Sequence, residues 1–180
     1  ICRGFGMRIL AYDKFPNPQA GLEYVSLDQL LEKSDIISLH CPLTEETAHM
    51  IGEPSIARMK KGAVIINTSR GGLVDTDALI AGLKDGHIGA ACLDVYEEEG
   101  EFFYEDYSGQ ILQDDKLVRI IAMPNVIVTS HQAFLTNEAL ENIAEITTQN
   151  LQEFFDTGMC KNELCYHCGK DEKCRKNRNH

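Results

Sequence analysis

Val64-Ile65-Ile66-Asn67-Thr68-Ser69-Arg70-Gly71-Gly72-Leu73-Val74-Asp75 decides how this 180-residue chain is read. Consecutive branched apolar residues suit a strand buried on both faces. Asn67 to Gly72 then breaks the run with turn-forming residues and one arginine. Asp75 stands where a helix through Leu79, Ile80 and Leu83 needs its cap, and Gly86 closes that helix. A buried strand, a polar turn and a capped helix make the repeating unit of a parallel sheet covered by helices.

The same unit recurs on both sides. Met7–Tyr12 reads as a short strand that ends at Asp13. Ser26-Leu27-Asp28-Gln29 has the form of a capping box and opens a helix through Leu30, Leu31 and Lys33. Ile36–Leu39 is a further buried strand. Glu53-Pro54 starts a helix, with proline in the first turn where its missing N–H costs little, and Gly62 ends it. Ile88–Leu93 and Val126–Thr129 complete five strands. From Thr136 the pattern changes to one long helix. Leu140, Ile143, Ala144, Thr147, Leu151, Phe154 and Phe155 share a face, and Gly158 stops it. The expected fold is α/β, a doubly wound parallel sheet, with no internal repeat.

Composition sets the outer bounds. Hydrophobic residues make up 43% and charged residues 25%, the usual balance of a soluble globular protein. A net charge of −11 argues against nucleic-acid binding, which needs a surplus of Lys and Arg. No apolar run is long enough to span a bilayer and no secretory leader opens the sequence, so a cytoplasmic protein with no membrane partner is expected. The acidic excess gathers between Asp94 and Asp115, where no Lys or Arg occurs. Such a run reads as solvated surface, with Asp94 and Glu99 set apart below. Cys2, Cys41 and Cys92 lie among apolar residues and read as buried thiols.

Four positions sit at or just past strand ends, the edge where open α/β sheets bind ligands. Asp13 suits the hydroxyls of an adenosine ribose, although a turn-forming Asp before Pro16 and Pro18 explains it equally well. Arg70, flanked by Gly71 and Gly72, suits bidentate capture of a carboxylate. Asp94 closes the Ile88–Leu93 strand and leads to Glu97, Glu98 and Glu99. His131 follows the last strand and is a candidate acid/base. Taken singly, each has a structural explanation; their convergence on one edge favours a site.

Leu39-His40-Cys41-Pro42-Leu43-Thr44, Ile66 to Asp75, Leu93-Asp94-Val95-Tyr96 and His131-Gln132-Ala133-Phe134 together resemble the D-2-hydroxyacid dehydrogenase family, in order and spacing, over roughly the first 160 residues. Phe102-Phe103-Tyr104-Glu105-Asp106 and the segment from His131 to Leu140 resemble its D-lactate dehydrogenase branch. The resemblance implies a Rossmann-like NAD-binding domain over residues 1–133. It implies a helix over 134–160 that packs on a separate substrate domain, followed by a tail over 161–180.

It also implies roles. Arg70 would bind the carboxylate of a 2-oxo acid. His131 would donate a proton to the carbonyl oxygen. Glu99, the best spaced of the three glutamates, would pair with His131, because a carboxylate beside an imidazole favours its protonated form. Cys41, Pro42, Thr47, Thr68, Ser69, Arg70, Asp94 and Asp13 would line NAD. The implied substrate is a small 2-oxo or 2-hydroxy acid, pyruvate and D-lactate first, and the implied assembly a homodimer.

Two departures stand out. Only twelve residues precede Asp13, fewer than a glycine-rich phosphate loop and its strand require. Gly4-Phe5-Gly6 is no substitute and reads as the close of a helix. This stretch alone is therefore expected to bind NAD weakly and to lack activity. The tail holds Cys165, Cys168, Cys174 and His180, which could ligate zinc, but it is short, basic and poor in apolar residues, so a disordered tail without metal is the favoured reading. The alternatives in other classes are an NAD-sensing corepressor-like relative and an inert gene fragment.

Overall fold

The computed structural model describes residues 1–101, 103, 106, 109 and 111–163. Its first strand is shorter than the apolar run that announces it. Of Met7–Tyr12, only Leu10–Ala11 (β1) joins a ladder, in parallel with Glu23–Tyr24 (β2). Met7 and Tyr12 are each about half exposed, so nothing among the described residues buries the ends of the run. The two residues of β2 form no apolar run of their own, and the sequence reading passed over them. Before β1, a 3-10 turn at Cys2–Phe5 closes on Gly6 in the left-handed conformation, as expected of that glycine.

From residue 26 onward the elements follow the apolar pattern closely. Helix α1 (Leu27–Lys33) is capped by the Ser26 hydroxyl, which accepts from the Gln29 amide. Then come β3 (Ile36–Leu39), α2 (Glu53–Arg58), β4 (Ala63–Asn67), α3 (Thr76–Lys84) and β5 (Ile88–Leu93). Asp75 caps α3 by accepting from the Ala78 amide. Helix α4 (Asp115–Ala122) was not expected. Its cap, Asp114, and its inward pair, Leu117 and Ile120, sit at the end of the acidic run. Strand β6 (Val126–Val128) ends one residue short of Thr129.

All ladders are parallel. Strands β3-β4-β5-β6 form one sheet in that order, and β1-β2 form another. No ladder among the described residues joins the two. The helices pack as chain neighbours, α1 on α2, α2 on α3 and α3 on α4, with α3 against β5 and α4 against β6. The core lies between these helices and the four-stranded sheet, centred on Ile65, Leu73 and Ile88, each fully buried. Not one of the first thirty residues is buried.

The chain divides into two units, residues 1–133 and 134–180. The second contains helix α5 (Asn137–Thr157), capped by Thr136 and closed by left-handed Gly158. Its Leu140, Ile143, Leu151, Phe154 and Phe155 are all exposed.

One expectation fails among the cysteines: Cys2 is exposed rather than buried, and Cys41 and Cys92 are only partly covered. The reading of Cys165, Cys168, Cys174 and His180, and that of Phe102, Tyr104 and Glu105, falls outside the described residues. Among the described residues no helix is long and apolar enough to cross a membrane, and no cluster of His, Cys, Asp and Glu could hold a metal ion.

Candidate active site

The site begins where β4 runs out. Asn67, the last residue of that strand, is 1% exposed, so its amide must be satisfied internally. Its Nδ2 donates to the Arg70 carbonyl at 2.9 Å and its Oδ1 accepts from the Ser69 amide at 3.1 Å. One buried side chain thus folds the Thr68–Arg70 turn back on the strand. The Asn67 carbonyl also accepts from the Asp94 amide, which ties that turn to the end of β5. Gly71 brings the turn closer still. A Cβ there would lie 2.1 Å from the Tyr96 carbonyl carbon and oxygen, so only glycine lets the two backbones meet. Arg70 is exposed, and its Nη1 donates to the Ser69 carbonyl.

His131 is positioned mainly by Asp94. The Asp94 side chain is 4% exposed and accepts from the Thr129 hydroxyl at 2.5 Å, the Gln132 amide at 2.8 Å and the Ala133 amide at 2.9 Å. Burial works against its charge. The hydrogen bonds from Thr129, Ala133 and Gln132, with His131 nearby, outweigh that and hold its pKa below the ordinary carboxylate value. The His131 amide in turn donates to the Asp94 carbonyl at 2.7 Å. These bonds hold His131 at a φ of +53°, uncommon for a residue with a side chain.

Across from it, Glu99 Oε1 lies 2.9 Å from His131 Nδ1, and Glu99 Oε2 accepts from the Tyr96 amide at 3.0 Å. The Glu99 side chain is 18% exposed and that of His131 30%, so the pair is shielded yet reachable. Glu97 faces His49 instead.

The turns past β3 and β4 make the neighbouring wall. The Ser69 hydroxyl donates to the Cys41 carbonyl and the Thr47 hydroxyl to the Pro42 carbonyl, each at 2.7 Å. Burial pushes the Cys41 thiol pKa up, and the charge of Asp13 adds to this. Asp13 Oδ1 accepts from the Phe15 amide, a local turn bond that agrees with the reading of Asp13 as a turn-forming residue. Lys14, beside it, is paired with Glu46.

This edge can offer a dinucleotide polar partners. It offers an exposed carboxylate past β1 whose neighbouring lysine faces Glu46, and the exposed backbone turns at Pro42 and Thr68. An apolar hollow between α4 and β6, lined by Phe103, Leu117, Ile121 and Val128, involves none of Arg70, Glu99 or His131.

Three features escaped the sequence reading. Asp94 is the buttress of the His131 turn, through amides 38 and 39 positions away. The Tyr96 hydroxyl donates to Asp114 at 2.6 Å and fastens the loop after β5 to the cap of α4; burial and then this carboxylate raise its pKa. His49 lies 48 residues from its partner, and nothing around it in the sequence marks it.

Known proteins share this arrangement of chain and fold. Residues 1–133 match the family model of the D-isomer specific 2-hydroxyacid dehydrogenase NAD binding domain. The chain is 52% identical to the 2-hydroxyacid dehydrogenase A of Aspergillus oryzae, over 91% of this chain and 48% of that protein. It is 49% identical to the D-lactate dehydrogenase of Escherichia coli, over 91% of this chain and 51% of that protein. Among solved structures it is similar to D-lactate dehydrogenase with NAD+ from Lactobacillus jensenii. That match has a TM-score of 0.79 at 37% identity and covers 91% of this chain and 49% of that one. The chain therefore spans about half the length of the relatives it matches. On the matched domain, the parallel α/β sheet and the identity across it, the chain belongs to the D-isomer specific 2-hydroxyacid dehydrogenases and carries their NAD-binding domain.

Proposed function

We propose that the protein carrying this chain interconverts a D-2-hydroxy acid and its 2-oxo acid, with D-lactate and pyruvate as the first pair. The observation that supports this most is the shielded contact between Glu99 and His131 Nδ1, held against the Arg70 turn by Gly71. Hydride addition to a carbonyl builds negative charge on oxygen, so a proton donor and a cation should face it. In this reading His131 donates from Nε2, because Nδ1 is committed to Glu99. Glu99 holds the ring in register through that contact. Arg70 takes the substrate carboxylate in a bidentate grip and fixes the carbonyl beside His131. In the reverse direction His131 accepts the hydroxyl proton.

Asp13, Cys41, Pro42, Thr47, Thr68, Ser69, Arg70 and Asp94 would hold NAD, Asp13 at the ribose and Asp94 on the nicotinamide side, where its carboxylate anchors the turn. Held by these residues, NAD would supply or take up the hydride of the reaction.

The exposed apolar face of α5 would pack on a further domain, and the protein would act as a cytoplasmic homodimer. With the first thirty residues unburied, the 180-residue chain by itself would bind NAD weakly and lack turnover. The test is NADH oxidation by the full-length protein and by this chain, with pyruvate and with bulkier 2-oxo acids. Turnover by the full-length protein with pyruvate preferred supports the reading, and absence of turnover with every 2-oxo acid refutes it.

A further inference from the structure

The loop after β5 carries two carboxylates, two residues apart, that each hold a histidine from elsewhere. Glu99 faces His131. Glu97 Oε1 lies 2.5 Å from His49 Nε2, and Glu97 Oε2 accepts from the Thr76 hydroxyl at 3.0 Å. Thr76 is buried at the start of α3. Both oxygens of Glu97 are thus engaged, by side chains from two separate segments.

His49 is itself held in place. Its φ is +51°, a conformation that side-chain-bearing residues rarely adopt. Its amide donates to the Gly72 carbonyl at 2.8 Å. Two residues on, the Ile51 amide donates to Leu73, and the Asp75 amide returns to Ile51. The turn before α2 therefore runs along Gly72–Asp75 and ends with its imidazole on Glu97. Gly71 completes the junction by meeting the Tyr96–Glu97 backbone directly. Three segments converge there, and two of them carry Arg70 and Glu99.

A surface ion pair alone would contribute little, and the His49 side chain is about half exposed. What sets this pair apart is its place. It lies between the Arg70 turn and the Tyr96–Glu99 turn, and it uses both oxygens of the carboxylate. The hydrogen bond to Glu97, opposed by the slight burial of the ring, raises the His49 pKa.

We propose that His49 is a positioning residue. Through Glu97 it fixes the turn that sets Glu99 against His131 and keeps the Arg70 segment alongside. In this role it acts through Glu97 and not on the reacting atoms, and the proposal rests on the roles assigned to His131 and Arg70 above.

The test uses the full-length protein with His49→Asn, Glu97→Gln and the double variant. Asparagine tolerates the left-handed backbone, so the first change removes the contact and keeps the turn. The expected loss in kcat is about tenfold for each single variant, since a small misplacement at a distance is costly to a reacting geometry. The KM for NADH should stay within about twofold, and the double variant should lose no more than the worse single one, as for residues acting as a unit. Amide hydrogen exchange supplies a readout independent of turnover. Exchange at Tyr96, whose amide donates to Glu99, should quicken in both single variants, with Ile65 and Ala91 in the core unchanged. Unchanged kcat, fully additive losses, unchanged exchange at Tyr96, or equal quickening at every amide would each overturn the proposal. A parent protein without turnover would refute the dehydrogenase reading, while the exchange measurement would still decide whether His49 holds the turn.

Discussion

The edge formed by β4, β5 and β6 and the first thirty residues are built in opposite ways. At the edge, Asn67 and Asp94 are buried carboxamide and carboxylate groups, Asn67 bonded to the backbone of its own turn and Asp94 to Thr129 and to the distant amides of Gln132 and Ala133. They fix the turns that carry Arg70 and His131 before any ligand arrives. In the first thirty residues no side chain is buried, and among the described residues β1 and β2 pair only with each other. The groups proposed for chemistry thus sit on a self-supporting scaffold, whereas Asp13, proposed for the ribose, sits on an unburied one. The contrast teaches that this chain can preorganise the reacting groups without equally preorganising the coenzyme's far end.

The sharpest way to break the contrast is His131→Asn in the full-length protein. Removing the acid/base should lower kcat about a thousandfold with folding intact by circular dichroism. A loss below tenfold would take His131 out of that role. Arg70→Lys comes next. It keeps the charge and loses the planar fork, so kcat/KM for pyruvate should fall about a hundredfold, the effect of about 3 kcal/mol in charged hydrogen bonds. An unchanged kcat/KM would mean that the carboxylate is bound elsewhere.

Asp94→Asn tests the scaffold. The new amide would point a donor at amides that need an acceptor, for a cost of about 1–3 kcal/mol in stability, read by urea denaturation. The sign with pH is fixed as well. The folded pKa of Asp94 lies below its unfolded value, so its contribution is present above the unfolded value and lost as pH falls through the folded one. The variant should therefore show a weaker dependence of stability on acid than the parent, and an equal dependence would contradict the anchoring role. Asp13→Asn should have the smallest effect, raising the KM for NADH about tenfold through weakened ribose hydrogen bonds, with kcat kept. A larger effect on kcat than on KM would erase the distinction between the two regions.

Much of this was legible in the sequence for a physical reason. Strands β4 and β5 carry apolar residues on both faces, β3 buries only Ile37 and Leu39 and leaves Ile36 and Ser38 exposed where a fully buried strand was expected, and Ser26, Asp75 and Thr136 are strong caps in strong positions. Where the signal thinned, the reading faltered. Helix α4 shows only Leu117 and Ile120 behind an acidic run, and β2 only two residues. Arg70 and His131 stood out because each follows a strand end, and Glu99 was set apart from Glu97 and Glu98 only by the family resemblance. The Asp94 anchor and the His49–Glu97 contact did not, because both depend on partners brought together only by the fold.

The most direct measurement follows the hydride itself. Full-length protein, pyruvate and NADH deuterated on the transferring face of the nicotinamide are mixed, and the product is examined by NMR and chiral separation. The expected product is D-lactate with deuterium at C2. Unlabelled product, L-lactate, or no product from pyruvate or any bulkier 2-oxo acid would contradict the assignment of Arg70, Glu99 and His131 to hydride-transfer chemistry.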